Sequence, residues 1–185
     1  MKVSLFALQV FLPLPQADSA RRALVEGIRC APDASGFGHK NQFYAGVAAA
    51  LLPHKEHFRM GVWDFVEEHE RAQTEFETWC KGTIDDAKNA PPADPYRSGG
   101  LHMFVTVLLL MARDQAADRT ICEACRMPEG TEWQKETFAH LIGTLPNLNF
   151  ATVRSDAIYV RPARDGGITV EELGEDHYAY LHPLV

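Results

Sequence analysis

The run Leu101 to Ala112, Leu-His-Met-Phe-Val-Thr-Val-Leu-Leu-Leu-Met-Ala, is the segment that most restricts the fold of this chain. It falls short of the ~18 apolar residues that a membrane-spanning helix needs. It is apolar on both alternating faces, which predicts a strand at the centre of a sheet rather than at its rim. The opening segment Val3 to Phe11 has the same character, with apolar residues on both faces, interrupted by Ser4 and Gln9. A second buried strand is expected there. Lys2, this apolar stretch and Gln16-Ala17-Asp18-Ser19-Ala20 together also resemble a secretory signal with a small-residue cleavage site. A buried first strand is the preferred reading, and secretion or a periplasmic location is the alternative should residues 1–20 act as a signal.

Between and after these strands, helical signals dominate. Pro13 and Pro15 end the first strand. Asp18 or Ser19 can cap a helix through Arg21, Leu24, Val25 and Ile28, which breaks at Ala31-Pro32-Asp33-Ala34-Ser35-Gly36. A second helix is expected from about Lys40 to Leu52, with Phe43, Val47, Ala50 and Leu51 buried, stopped by Pro53. A third carries Trp63, Val66, Phe76, Trp79 and Cys80 inward and stops at Gly82. After Leu101 to Ala112, the capping box Thr131-Glu132-Trp133-Gln134 opens a helix that Gly143 closes. Phe150 to Arg161 is the third strand, and a second capping box, Thr169 to Glu172, opens a short helix before the aromatic tail. The expected fold class is α+β: a small mixed sheet of about three or more strands with helices packed on it. The N-terminal half is expected to be helical, and a strand, helix and strand in succession to form a parallel crossover. One domain over residues 1–185 is expected, its Pro/Gly-rich connection at residues 88–100 joining the helical first half to a β-α-β second half.

Charge and cysteine content narrow the partners. With 18 Lys and Arg against 25 Asp and Glu the net charge is −7, which repels nucleic-acid backbones and anionic membrane surfaces. Neither is expected as a partner. Cys30, Cys80, Cys122 and Cys125 lack the density of a disulfide-stapled secreted domain, so a soluble, cytoplasmic chain is expected.

Few residues are arranged for chemistry. Cys122 and Cys125, three apart in what reads as a polar loop, can chelate a soft metal or form a disulfide. Such a pair is only half a zinc site, and two thiols on a loop or short helix, one of them packed, are the plainer reading. His54 and His57 are also three apart and could face one ion, though a turn at a helix end after Pro53, with His54 on the terminal carbonyls, is the preferred reading. Gly36-Phe37-Gly38-His39-Lys40 is a helix connection more than an anion-binding loop, because no strand precedes it. No nucleophile elbow, phosphate-binding loop or His-Glu-x-x-His motif is present. A pocket built from scattered residues such as His102, Arg154 and Asp156 is a further possibility for an enzyme.

Leu51, Leu52 and His54 followed by Phe58, the strand Phe104 to Leu109, the strand Ala157 to Pro162, and the tail Glu172-Leu173, Asp176, Tyr178, Leu181, Pro183 and Leu184 together resemble domain of unknown function 1517, a family common in cyanobacteria and chloroplasts. The resemblance covers most of the chain and implies an α+β domain of accessory or regulatory type, and it supplies no active site. Two departures stand out: the hydrophobic segment that often precedes the family's domain has no counterpart, and the Cys122/Cys125 pair is outside the family's pattern. The expected function is therefore a non-catalytic protein-interaction module without cofactor. Tyr96, Tyr178, Tyr180 and Leu181 are its expected anchors on another protein, a homodimer being possible. The same tail tyrosines also suit a cover over the sheet. The alternative function is a zinc-binding or thiol-dependent protein using Cys122 and Cys125.

Overall fold

The opening segment forms β1 (Val3–Pro13), and ten of its eleven residues are buried. The structure is a computed structural model that describes residues 2–30, 36–89, 101–162, 167–169 and 178–185, with 83–89 as backbone only. β1 is followed by α1 (Leu14–Arg29), α2 (Phe37–Leu51), β2 (Met60–Val66), α3 (His69–Asn89), β3 (His102–Ala112), α4 (Ala116–Ala124), α5 (Lys135–Thr144), β4 (Val153–Arg161) and β5 (His182–Pro183). The five strands make one sheet in the order β4-β3-β1-β2-β5. β1 pairs along its whole length with β3, Val3 opposite Ala112 and Pro13 opposite His102, and on its other side with β2. A segment at the centre of the sheet is structural, so the first-strand reading of these residues holds.

Every pairing in the sheet is antiparallel, which corrects the expected mixed sheet. The reason lies in the number of helices in each connection. One helix between two strands returns the chain to its starting end and lets the next strand run parallel; two helices return it to the far end. The connection from β3 to β4 holds two, because residues 116–124, expected as a polar loop, form α4. Its buried residues Ala117, Ile121 and Ala124 recur at helical spacing. β1 and β2 are likewise joined through two helices. The first half thus holds two strands of the sheet as well as three helices, so it is not the helical half expected: besides the expected first strand it contributes β2.

Boundaries shift for local reasons. Trp63 and Val66 belong to β2, not to the third helix. There Gly61, Trp63 and Phe65 alternate with Val62, Asp64 and Val66, and the glycine and aspartate hide the two-residue period. Gly61 is required: a Cβ there would lie 2.5 Å from the Phe138 ring and 2.9 Å from the Gln9 carbonyl oxygen. α1 starts at Leu14 with Pro15 in its first turn, where a missing N–H costs nothing. Asp18 instead pairs with Arg21 at 2.7 Å. Gly82 does not stop α3, which runs on to Asn89. Gln134 precedes α5 without a side-chain cap, while the Thr131 hydroxyl donates to the Pro128 carbonyl. Phe150 to Thr152 is a 3-10 turn ahead of β4, and the β3–β4 register shifts at Leu110/Met111.

Both faces of the sheet are covered. On the first, Phe6, Leu8, Val10 and Leu12 meet Val105, Val107 and Leu109 beneath residues of α1, α2, α4 and α5. Each such fully buried side chain contributes about 1.5–3 kcal/mol. On the second, Val3, Leu5, Val66 and Ala72 form one apolar cluster and Phe11, Phe104, Ile168, Tyr178 and Leu181 another. Gln9 and Thr106 lie opposite each other on the same face and are buried, and the Gln9 amide donates to the Thr106 hydroxyl at 2.8 Å. Strands from both sides of the 88–100 connection share the sheet. Most of that connection, residues 90–100, lies outside the described residues, as do residues 170–177 of the second capping box and the family-like tail. No helix among the described residues is long and apolar enough to cross a membrane.

Candidate binding groove between the first two helices

α1 and α2 pack side by side against the first sheet face, and their contact is incomplete. Leu24 and Val47 are buried and form the floor. Above them the facing residues are small: Ala23 and Gly27 on α1, Gly46 on α2. A Cβ on Gly46 would meet nothing within 4 Å, and one on Gly27 would reach only the Phe43 ring, at 3.9 Å. The result is a groove of about 500 Å³, completed by Cys30, His39 and Gln42. Pockets of 300–1,000 Å³ with mostly apolar walls and a few polar groups are the usual form of a small-ligand site.

The groove is held open by what lies behind it. Phe43 packs edge-on to Tyr44, with centroids 5.1 Å apart, and Tyr44 stacks on Phe150 at 4.9 Å. The Tyr44 hydroxyl donates to Asp156 at 3.0 Å, and the Lys40 ammonium pairs with the same carboxylate at 2.9 Å. Asn41 donates to the Pro146 and Leu148 carbonyls at 3.0 and 2.8 Å. α2 is thereby pinned to β4 and to the segment after α5. Burial, followed by the adjacent Asp156 charge, pushes the Tyr44 phenol well above its ordinary range. It stays a neutral donor.

Polarity is graded along the groove. Because the chain reverses between α1 and α2, Cys30 at the end of α1 and His39 in the first turn of α2 share one end; Ala23, Leu24, Gly46 and Val47 share the other. The Cys30 thiol donates to Glu26 at 3.3 Å, and that carboxylate raises its pKa by hydrogen bond and by charge. A nucleophilic thiolate is thus disfavoured there.

The residues singled out in the sequence fall elsewhere. Tyr178 and Leu181 are buried in the second-face cluster, with the Tyr178 ring edge-on to Phe11 at 5.6 Å. Tyr180 is 43% exposed; its hydroxyl donates to the Gln9 side-chain oxygen at 2.7 Å and its ring lies edge-on to Trp79. Tyr96 lies outside the described residues. Cys122 is on α4 and Cys125 caps it, so both stand on one helical turn rather than in a loop. Burial, then the neighbouring Cys122, pushes the Cys125 thiol up to about 12, which opposes the thiolate that metal or exchange chemistry uses. His54 and His57 lie on a 3-10 turn (Leu52–His57) with ring centroids 6.5 Å apart. Among the described residues no three His, Cys, Asp or Glu side chains converge as a metal site. Sheet register puts His102 on the second face and Asp156 on the first, so the scattered-pocket trio does not assemble. The groove itself was not anticipated. Its trace in the sequence is a pair of glycines, Gly27 and Gly46, inside helices that otherwise favour larger residues.

Compared with protein-family models, with curated proteins and with solved structures, the chain finds no match.

Proposed function

We propose that this chain is an accessory or regulatory module that acts by binding and not by catalysis, with the groove between α1 and α2 as its receiving surface. The observation behind this reading is the groove itself: about 500 Å³, apolar at its floor, and walled by α1 and by α2, which is anchored through Tyr44, Lys40 and Asn41. Glycine inside a helix costs roughly 0.5–1 kcal/mol relative to alanine, so Gly46, with open space where its Cβ would stand, trades stability for an unfilled site. Protein partners fit this reading as regulated targets. The covered sheet faces and the burial of Tyr178, Leu181 and Leu184 favour the helical surface over the sheet as the place where they meet the module.

Titration with the neutral dye Nile red tests the groove. One saturable site is expected, lost in Gly46→Trp and in Ala23→Trp, which fill the groove from opposite walls. Circular dichroism should show both variants folded, and Gly46→Trp should melt at or above the unaltered protein. Dye binding that survives both substitutions, or is absent from the start, would overturn the assignment.

A further inference from the structure

We infer that β4 is the interface between two copies of this chain, its outer edge pairing antiparallel with the same edge of a second copy across a two-fold axis at Ile158. The inference stands apart from the groove. It starts from the sheet order, in which β4 is terminal and pairs on one side, with β3. Among the described residues nothing pairs with its other side.

Which groups face outward follows from the ladder. The Leu101 carbonyl is turned to β1, accepting from the Leu14 N–H at 2.7 Å, while His102 turns both backbone groups the other way, to Ile168, at 2.8 and 2.9 Å. Successive residues of a strand alternate in this respect, so Phe104, Thr106 and Leu108 point at β4 and engage Arg161, Tyr159 and Ala157. The N–H and C=O groups of Asp156, Ile158 and Val160 therefore point out from the edge of the sheet. The register shift at Leu110/Met111 lies beyond this stretch and leaves it regular.

Open edges are ordinarily guarded by proline, bulges or charged side chains. On residues 156–161 there is no proline, and the two charges are spent within the chain. Lys40 and Tyr44 hold the Asp156 carboxylate, and the Arg161 guanidinium lies over the Phe104 ring, 5.3 Å from its centroid. Between them Ala157-Ile158-Tyr159-Val160 is uncharged and rich in strand-forming residues. The edge is also complementary to itself. With the axis at Ile158, Asp156 meets Val160 of the second copy, Ala157 meets Tyr159, Ser155 meets Arg161, and Ile158 meets its own equivalent. The outward groups then face one another, a small residue lies opposite a large one, and no like charges are opposed.

Sedimentation of the full chain over about 1–300 μM, the range suited to pairing through a small interface, reads the association. The mass should rise from that of one chain to that of two. Ile158→Pro removes an outward donor and none of the bonds to β3. It should weaken association at least about tenfold, through the two symmetry-related bonds lost, with the circular dichroism spectrum kept. Ser155 tests the register and leaves the backbone alone. Ser155→Glu should tighten association about fivefold and Ser155→Lys weaken it about fivefold, each acting twice on Arg161 across the axis, and the difference should shrink in high salt. A one-chain mass over the whole range, or Ser155→Glu and Ser155→Lys shifting the association alike, would overturn the inference. So would a folded Ile158→Pro variant that pairs as well as the unaltered protein; should that variant not fold, the Ser155 pair decides.

Discussion

Gly61 shows how far a single missing methyl can organise this fold. β2 passes so close to Phe138 of α5 that any side chain would collide with the ring and with the Gln9 carbonyl of the neighbouring strand. Gly61→Ala should destabilise the protein by about 1–3 kcal/mol, the usual cost of overpacking a fitted core, read as a lower urea midpoint. Tyr44 makes a complementary case. Tyr44→Phe keeps the stack on Phe150 and removes the hydroxyl from Asp156, leaving the carboxylate to Lys40 alone. A loss of about 1 kcal/mol is expected by chemical denaturation. Ser4 is another buried polar residue with a fixed partner: its hydroxyl donates to Asp118, which also accepts from the Asp114 backbone N–H at 2.7 Å and so ties β1 to the start of α4.

At the scale of elements, the legible parts were those whose pattern owes nothing to distant neighbours. β1 and β3 are apolar on both faces because each is flanked on both sides and covered above and below, and that character is visible in residues 3–12 and 103–112 alone. β2 was not legible, because its apolar face is interrupted by a glycine whose reason, Phe138, lies 77 positions away. α4 was hidden by its polar surface, and with it went the direction of β4. β5 has only two residues and gains its identity from Met60 and Gly61. The groove was least legible of all, since an unfilled space is specified by side chains that are absent. In the C-terminal segment the reading of a tail tyrosine as a cover over the sheet describes Tyr178, which like Leu181 and Leu184 is buried within the chain's own clusters, while Tyr180 is 43% exposed. Val185 donates to the Trp133 carbonyl at 3.2 Å and Leu184 to that of Arg59 at 2.9 Å. Removing residues 178–185 should therefore lower stability sharply, and Tyr178→Ala alone by roughly 3–5 kcal/mol, as for other buried aromatics. A thermal melt of the two variants checks this.

For the molecule as a whole, alkaline pH is the condition that should weaken it first. The Cys125 thiol, ordinarily titrating near 9.0, is pushed up to about 12 by burial and by Cys122. The Tyr159 phenol, ordinarily near 10.0, also moves to about 12, through burial and its hydrogen bond with Cys80. A folded-state pKa raised above the unfolded one means that the folded chain holds its protons longer. That stability is fully present below pH 9 and is lost as pH rises towards 12. The urea midpoint should be flat from pH 7 to 9 and fall beyond it, and Cys125→Ala should flatten the first part of the fall. A midpoint insensitive to pH between 9 and 11 would show that neither group is shielded as the structure has it. The order of the sheet also bears on how the chain is made. β1 is translated before every strand it pairs with, and Val3 waits 112 − 3 = 109 residues for Ala112. β1 meets β2 first, Leu5 after 66 − 5 = 61 residues at Val66, and at about 5–20 residues per second its other edge stays open for roughly five to twenty seconds during synthesis. An open strand edge is prone to misassembly, so a rearranged gene that places β1 next to β3 should shorten that exposure during synthesis.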